Sequence, residues 1–241
     1  MNQSSEKPIK NCVVLFDIDG TLIAGPENST APGVLAMDKA AELITGKNGL
    51  HKLVEFAGRT DKQIATDLLV ASGQIKPTQD NISQLLQHYC ELLKIHVSRF
   101  PYRPIGKVRN AIEALRQAGC TIGLGTGNVK LGAEIKLKSA GLLNLFDLNL
   151  GGYGDDGDSR ADVLHAGVNR CDPTGQKFVI VIGDTPHDVY AALAIDALCI
   201  GVATGKYNCS ELLDAGATVV VFCLDESIMC LPMWEALVEM S

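Results

Sequence analysis

The chain has 241 residues, 46% hydrophobic and 20% charged, with a formal net charge of -7 at pH 7. That is the composition of a globular protein long enough to bury a sizeable core, as one domain or a domain with an insert. The acidic balance argues against nucleic acid as a partner, because a phosphate backbone calls for clustered Lys and Arg. No stretch approaches the roughly 18 apolar residues of a membrane-spanning helix, and the polar residues Met1–Asn11 contain no apolar run of the signal-peptide kind. The cysteines show no CxxC pair and no zinc-ligand spacing, and several stand inside apolar runs. They are expected to be reduced structural thiols in a cytoplasmic protein.

The first element is the run Cys12-Val13-Val14-Leu15-Phe16, apolar throughout and partly β-branched, which reads as a buried parallel strand. It stops at Asp17-Ile18-Asp19-Gly20-Thr21-Leu22. After a loop rich in Gly, Pro, Asn and Ser, residues 33 to about 98 carry helical periodicity without a strand-like run. One helix holds Val34, Leu35, Ala40, Leu43 and Ile44 and ends at Gly46. A second is expected to be N-capped by Asp61, and a third follows Pro77-Thr78. Beyond residue 99 helix and strand alternate. Helices are expected at Ile105–Ala118, Val129–Ala140, Arg160–Arg170, Val189–Ile195 and Ser210–Ala215. Strands are expected at Thr121–Gly125, Phe146–Leu150, Lys177–Ile182, Leu198–Val202 and Thr218–Phe222. This alternation predicts an α/β fold, a Rossmann-like parallel sheet with helices on both faces. The all-helical stretch is an insert: residues 1–23 and 99–241 form the α/β core, and 24–98 the inserted unit.

Chemistry in such a sheet gathers at the carboxyl ends of the strands. Asp17 and Asp19 crowd one end and repel each other unless a cation holds them or one keeps its proton. For hard oxygen ligands the cation is Mg²⁺. A second strand runs into Thr126-Gly127-Asn128, a hydroxyl and a glycine at a helix start, which suits a phosphate oxygen or a simple N-cap. A third runs into Gly183-Asp184-Thr185-Pro186-His187-Asp188, adding two acids near a helix N-terminus. Three or four converging carboxylates make a divalent-metal pocket. Two other glycine-rich stretches carry no such chemistry. Gly152–Gly157 fits GxGxxG but sets two aspartates where a pyrophosphate would lie, and Gly201–Lys206 is one residue short of a P-loop.

Together these segments resemble the motifs of the haloacid dehalogenase-like (HAD) superfamily. Asp17-Ile18-Asp19-Gly20-Thr21-Leu22 is similar to its first motif, Thr126 stands where its second places a phosphate-binding hydroxyl, and Gly183-Asp184-x-x-x-Asp188 is similar to its fourth. The third motif departs from the pattern: no lysine lies between Lys138 and Lys177, and Arg160 is the residue best placed to substitute. Arginine keeps the charge and grips phosphate with two hydrogen bonds, although its reach differs. The resemblance implies that Asp17 attacks phosphorus and forms an aspartyl-phosphate. Asp19 would protonate the leaving alcohol and then deprotonate water. Mg²⁺ would sit on Asp17, Asp184 and the backbone carbonyl of Asp19, with Asp188 as supporting acid. Thr126, Gly127, Asn128 and Arg160 would bind the phosphoryl group. The presence of Asp19 favours phosphate chemistry over carbon–halogen cleavage. The insert looks like the C1 cap, and Phe56-Ala57-Gly58-Arg59-Thr60-Asp61 is similar to a cap segment of phosphoglycolate phosphatase-like members. Arg59 is a candidate for a second anionic group of the substrate or a solvated loop residue. The function expected is a Mg²⁺-dependent phosphatase of a small phosphorylated metabolite, acting as a monomer or homodimer. A phosphomutase of the β-phosphoglucomutase type and a non-hydrolytic phosphate-binding or regulatory protein are the alternatives.

Overall fold

The computed structural model describes residues 11–73 and 76–234. Strand β1 (Cys12–Phe16) is the centre of the fold, each of its residues at most 1% exposed. It pairs in parallel with β4 (Thr121–Gly125) on one side and β6 (Phe178–Gly183) on the other. β5 (Gly151–Gly152), β7 (Leu198–Val202) and β8 (Val219–Val221) complete a six-stranded sheet in the order β5-β4-β1-β6-β7-β8, parallel throughout.

Because side chains alternate along a strand, β1 serves two cores. Val13 and Leu15 pack with Leu164 of α6 (Arg160–Cys171), Val189 of α7 (Pro186–Ala194) and Leu212 of α8 (Cys209–Asp214). Val14 and Phe16 face the opposite layer, with Ile112 and Leu115 of α4 (Val108–Gln117) and Ala133 and Leu137 of α5 (Lys130–Ser139). Phe16 also meets Phe146 edge to ring face, centroids 6.2 Å apart. Each such buried Val, Leu, Ile or Phe side chain contributes about 1.5–3 kcal/mol of transfer free energy. The expected α/β class, with helices on both faces of a parallel sheet, holds.

The helical segment comprises α1 (Pro32–Thr45), α2 (Asp61–Ala71) and α3 (Gln79–Arg99), which pack on one another, with α3 also against α5. The chain leaves for it through β2 (Ile23–Ala24) and returns through β3 (Arg103–Pro104), an antiparallel pair that brings both ends of the segment together. Two residues per strand are too few for period-2 patterning to reveal.

Three expectations shift. Residues 146–150 are not a strand. The Asp147 carboxylate accepts the Asn149 N–H at 2.9 Å in a turn, and the strand beside β4 is the next pair, Gly151–Gly152. Glycine carries no β propensity, so sequence alone points elsewhere. α4 begins at Val108 rather than Ile105, because Ile105 donates its N–H to Leu22 and Gly106 turns with φ +53°. The cap of α2 is Thr60, in a reciprocal box with Gln63, which leaves Asp61 at the first helical position with its carboxylate free for another partner. All eight cysteines are free, as expected, five of them buried. No helix among the described residues is long and apolar enough to cross a membrane.

Candidate active site

β4, β1 and β6 are neighbours, and their carboxyl ends share one edge of the sheet. The register sets Phe16 beside Leu124 and Ile182. Asp17, one residue on, is therefore level with the ends of both flanking strands, and Thr126 and Asp184 follow directly. Asp17, Asp184 and Asp188 are all buried, and each offers a carboxylate oxygen within 4.8 Å of the other two. Gly20 lets this happen: its φ is +82°, and a Cβ there would stand 2.2 Å from Asp184 Oδ2. Only glycine takes that backbone conformation at no cost and leaves the space.

Each acid has a distinct second partner. Asp184 Oδ1 accepts the Thr21 hydroxyl at 3.0 Å. Asp188 Oδ2 closes the N-terminal box of α7, accepting Thr185 N–H at 3.1 Å and its hydroxyl at 2.8 Å. Arg160, at the first position of α6, lies between the remaining oxygens. Its Nη2 is 2.7 Å from Asp17 Oδ1 and its Nε donates to Asp188 Oδ1 at 3.1 Å. The Arg160 side chain is only 9% exposed, so its charge and theirs are held together largely out of water, where the attraction is strong.

The cluster remains short of positive charge. Burial, opposed by Arg160 and reinforced by Asp188, pushes the Asp17 carboxyl up to about 6. Burial together with Asp188 and Asp17 holds that of Asp184 well above its ordinary value. A buried all-oxygen set whose members resist ionising is what a hard divalent cation relieves, so the residues present fit one. The consequence for stability has a definite sign. A carboxyl raised in the folded state stabilises the fold below its unfolded pKa and loses that contribution as pH rises through the folded value. Metal-free protein is therefore expected to melt higher at pH 5 than at pH 7, by about 4–8 °C if some 2 kcal/mol is involved. Mg²⁺ should raise the melting temperature at pH 7 far more than at pH 5. A flat or inverted profile between those values, read by calorimetry with and without EDTA, would contradict this picture.

The Asp19 carboxylate is not one of the three that converge. Its Oδ2 accepts from Asn128 Nδ2 at 2.8 Å and from Lys136 Nζ at 2.7 Å. Asn128 Nδ2 also reaches Thr126 Oγ1 at 2.8 Å, and Thr126 is fully buried. Gly127 lies where two backbones almost touch: a Cβ there would be 2.4 Å from the carbonyl oxygen of Arg59 and 3.0 Å from Arg160 Nη1. The helical segment is anchored at the same place. Asp61 N–H donates to Gly127 O at 2.8 Å, and its carboxylate accepts Val129 N–H at 2.9 Å, at the start of α5. Lys206–Glu55, Lys62–Asp155 O and Gln63–Asp158 O add further links between the two parts. Between them lies a cavity of about 330 Å³, with Asp17, Asp19 and Asp184 on one wall and Met37, Phe56 and Ile64 on the other.

The structure thus brings Asp17, Thr126, Gly127, Asn128, Arg160, Asp184 and Asp188 to one place, with Asp19 beside them. Arg59 lines the cavity, but its guanidinium is held within α2 by Asp67 at 2.7 Å and Gln63 at 3.2 Å. Gripping a substrate anion would require breaking those bonds. Sequence reasoning missed Lys136 and misjudged Asp61. A signal existed for the first: Val129, Ala133, Lys136, Leu137 and Ala140 make one buried face of α5 and its flanks, and a lysine in such a stripe needs a buried partner.

The sequence profile of the family described as haloacid dehalogenase-like hydrolase matches residues 14–202. The chain belongs to that family. Among curated relatives, the HAD-like chain is 26% identical over 229 residues to the "Probable phosphatase IndB" of Dickeya dadantii, covering 90% of this chain and 91% of that protein. It is also 26% identical over 213 residues to a phosphoglycolate phosphatase of Colwellia psychrerythraea, covering 83% and 87%. Among solved structures, a HAD hydrolase of family IA, variant 3, from Entamoeba histolytica superposes with a TM-score of 0.69 at 20% identity, covering 94% of this chain and 99% of that one. At that identity the likeness of this HAD-like chain to the solved structure concerns the fold.

Proposed function

We propose that this HAD-like hydrolase is a Mg²⁺-dependent phosphatase that hydrolyses a small phosphomonoester through an aspartyl-phosphate on Asp17. The observation carrying this reading is the juxtaposition at one sheet edge of a buried acid cluster, an arginine on Asp17, and a second aspartate set apart on its own donors. Asp17, held at Oδ1 by Arg160, is the nucleophile that forms the P–O bond. Asp19 is the acid that gives its proton to the departing oxygen and the base that takes one from the attacking water. Thr126, Gly127 and Asn128 bind the phosphoryl oxygens. A Mg²⁺ held by Asp17, Asp184 and the Asp19 carbonyl would supply charge compensation for the transferring group. Asp188 keeps Arg160 and the head of α7 in register.

Residues 24–98 act as a cap that excludes water and selects the leaving group. A cavity of about 330 Å³, apolar on its α1–α2 side, suits a metabolite rather than a phosphoprotein, and one curated relative is named a phosphoglycolate phosphatase.

The test is phosphate release from a panel of small phosphomonoesters, with p-nitrophenyl phosphate as generic control, in Mg²⁺ and in EDTA. EDTA is expected to abolish release and Mg²⁺ to restore it, with one metabolite preferred. A metal-independent rate would contradict the metal assignment. Isomerised sugar phosphate without free phosphate would indicate a mutase, and no turnover with stable phosphorylation of Asp17 a regulatory protein.

A further inference from the structure

Lys136 stands outside every role assigned so far. It is a lysine in the apolar face of α5, its side chain 7% exposed, with Nζ 2.7 Å from Asp19 Oδ2 and 2.6 Å from Asn128 Oδ1. Its surroundings are crowded on the α1 side. The ring of Tyr102 has its centroid 5.8 Å from Nζ, and a Cβ on Gly33, in the first turn of α1, would lie 3.3 Å from the ammonium nitrogen and 2.9 Å from the Tyr102 hydroxyl. Gly33 and Tyr102 crowd Lys136 on the α1 side, and the cavity lies on the other. Asp19 is different: 42% of its side chain is exposed, towards the cavity. Lys136 and Asn128 both bond to Oδ2, and among the described residues Oδ1 accepts no hydrogen bond.

We propose that Lys136 is a positioning residue for proton transfer to the leaving group, pinning Asp19 Oδ2 so that Oδ1 is presented to the departing oxygen. The proposal rests on the phosphatase reading given above. In the first half-reaction the bond from Asp17 to phosphorus forms, the bond from phosphorus to the leaving oxygen breaks, and that oxygen takes the proton of the Asp19 carboxyl. In the second, Asp19 takes a proton from water, the hydroxide oxygen bonds to phosphorus, and Asp17 is released as carboxylate, so the proton is returned. Lys136 exchanges no proton in either half. A carboxylate anchored at one oxygen by two donors has lost rotation about its terminal bond, and the remaining oxygen is held on the line where transfer occurs, which is how positioning lowers a barrier. Asn128 ties this anchor to Thr126, so the phosphoryl cradle and the proton donor are set by one chain of hydrogen bonds.

The role predicts a dependence on the leaving group. p-Nitrophenolate departs readily without a proton, whereas an alkoxide does not. In Lys136→Met, kcat/KM for an alkyl phosphate such as β-glycerophosphate is expected to fall about 100-fold, the lower range for loss of general-acid help, and that for p-nitrophenyl phosphate less than about 5-fold on the same reasoning. Because kcat/KM reports events up to leaving-group departure, slower hydrolysis of the phosphoenzyme does not confuse the comparison. Asp19→Asn should show the same selectivity, and in that background Lys136→Met should add nothing further. Lys136→Arg, retaining a donor, should recover part of the alkyl rate and serves where the methionine variant folds poorly. Equal losses on both substrates, or an undiminished Lys136→Met effect in Asp19→Asn, would overturn the proposal. A wild-type protein without phosphatase activity would instead overturn the reading beneath it.

Discussion

Replacing Asp17 by asparagine is expected to lower phosphate release by about 10⁴-fold or more, the scale of loss when a covalent nucleophile is removed. The fold should survive. Asparagine matches aspartate in shape, Arg160 keeps its bond to Asp188, and the variant removes a charge from a buried set that resists ionising. Its metal-free melting temperature at pH 7 should therefore be no lower than that of the wild type, and its dependence on pH between 5 and 7 should be shallower. Near-normal turnover in Asp17→Asn would remove this residue as the nucleophile. Lost turnover together with a collapsed melting temperature would mean that Asp17 is needed for the fold, and the role would then have to be read from capture of the phosphoenzyme.

Arg160→Met should be the more damaging change to the structure. It leaves Asp17, Asp184 and Asp188 facing one another without the guanidinium that now touches two of them. Breaking a buried ion pair by removing one partner costs about 3–5 kcal/mol, which in a chain of this size lowers the melting temperature by roughly 6–20 °C. Mg²⁺ should restore more stability to this variant than to the wild type, because the same acids have lost their other source of positive charge. Activity should fall as well, since Asp17 Oδ1 is no longer held. Lys in place of Arg should give an intermediate result, a single ammonium being unable to bridge both carboxylates as the planar fork does. A fully stable Arg160→Met protein without metal would show that the acids are already neutral, and that the arginine does not carry the electrostatics assigned to it.

The order of elements was legible because periodicity is a local property. The apolar run at Cys12–Phe16, the glycine stops after helices and the alternation beyond residue 99 each need only a few neighbouring residues to be read. Asp17, Thr126 and Asp184 were legible for a related reason: each sits immediately after a strand, Asp188 follows in the first turn of the next helix, and the sheet order β4-β1-β6 then brings those ends together. Arg160 stands at a helix start where the resemblance leaves the third motif without its lysine, and the structure sets it on Asp17. The strand expected at 146–150 was misplaced because pairing with β4 is made by two glycines, whose contribution depends on their neighbour rather than on their own propensity.

What the sequence by itself determined is the parallel α/β core, the helical insertion and the acids at the strand ends, all of which follow from patterns a few residues long. Only the tertiary structure decided the partners. Lys136 and Asp19 are 117 positions apart in the chain, and Asp61 and Val129 are 68 apart. Nothing local in either pair names the other. A buried charge must find its counter-charge wherever folding puts one, and that is settled by the packing of α1, α2 and α5 around the cavity.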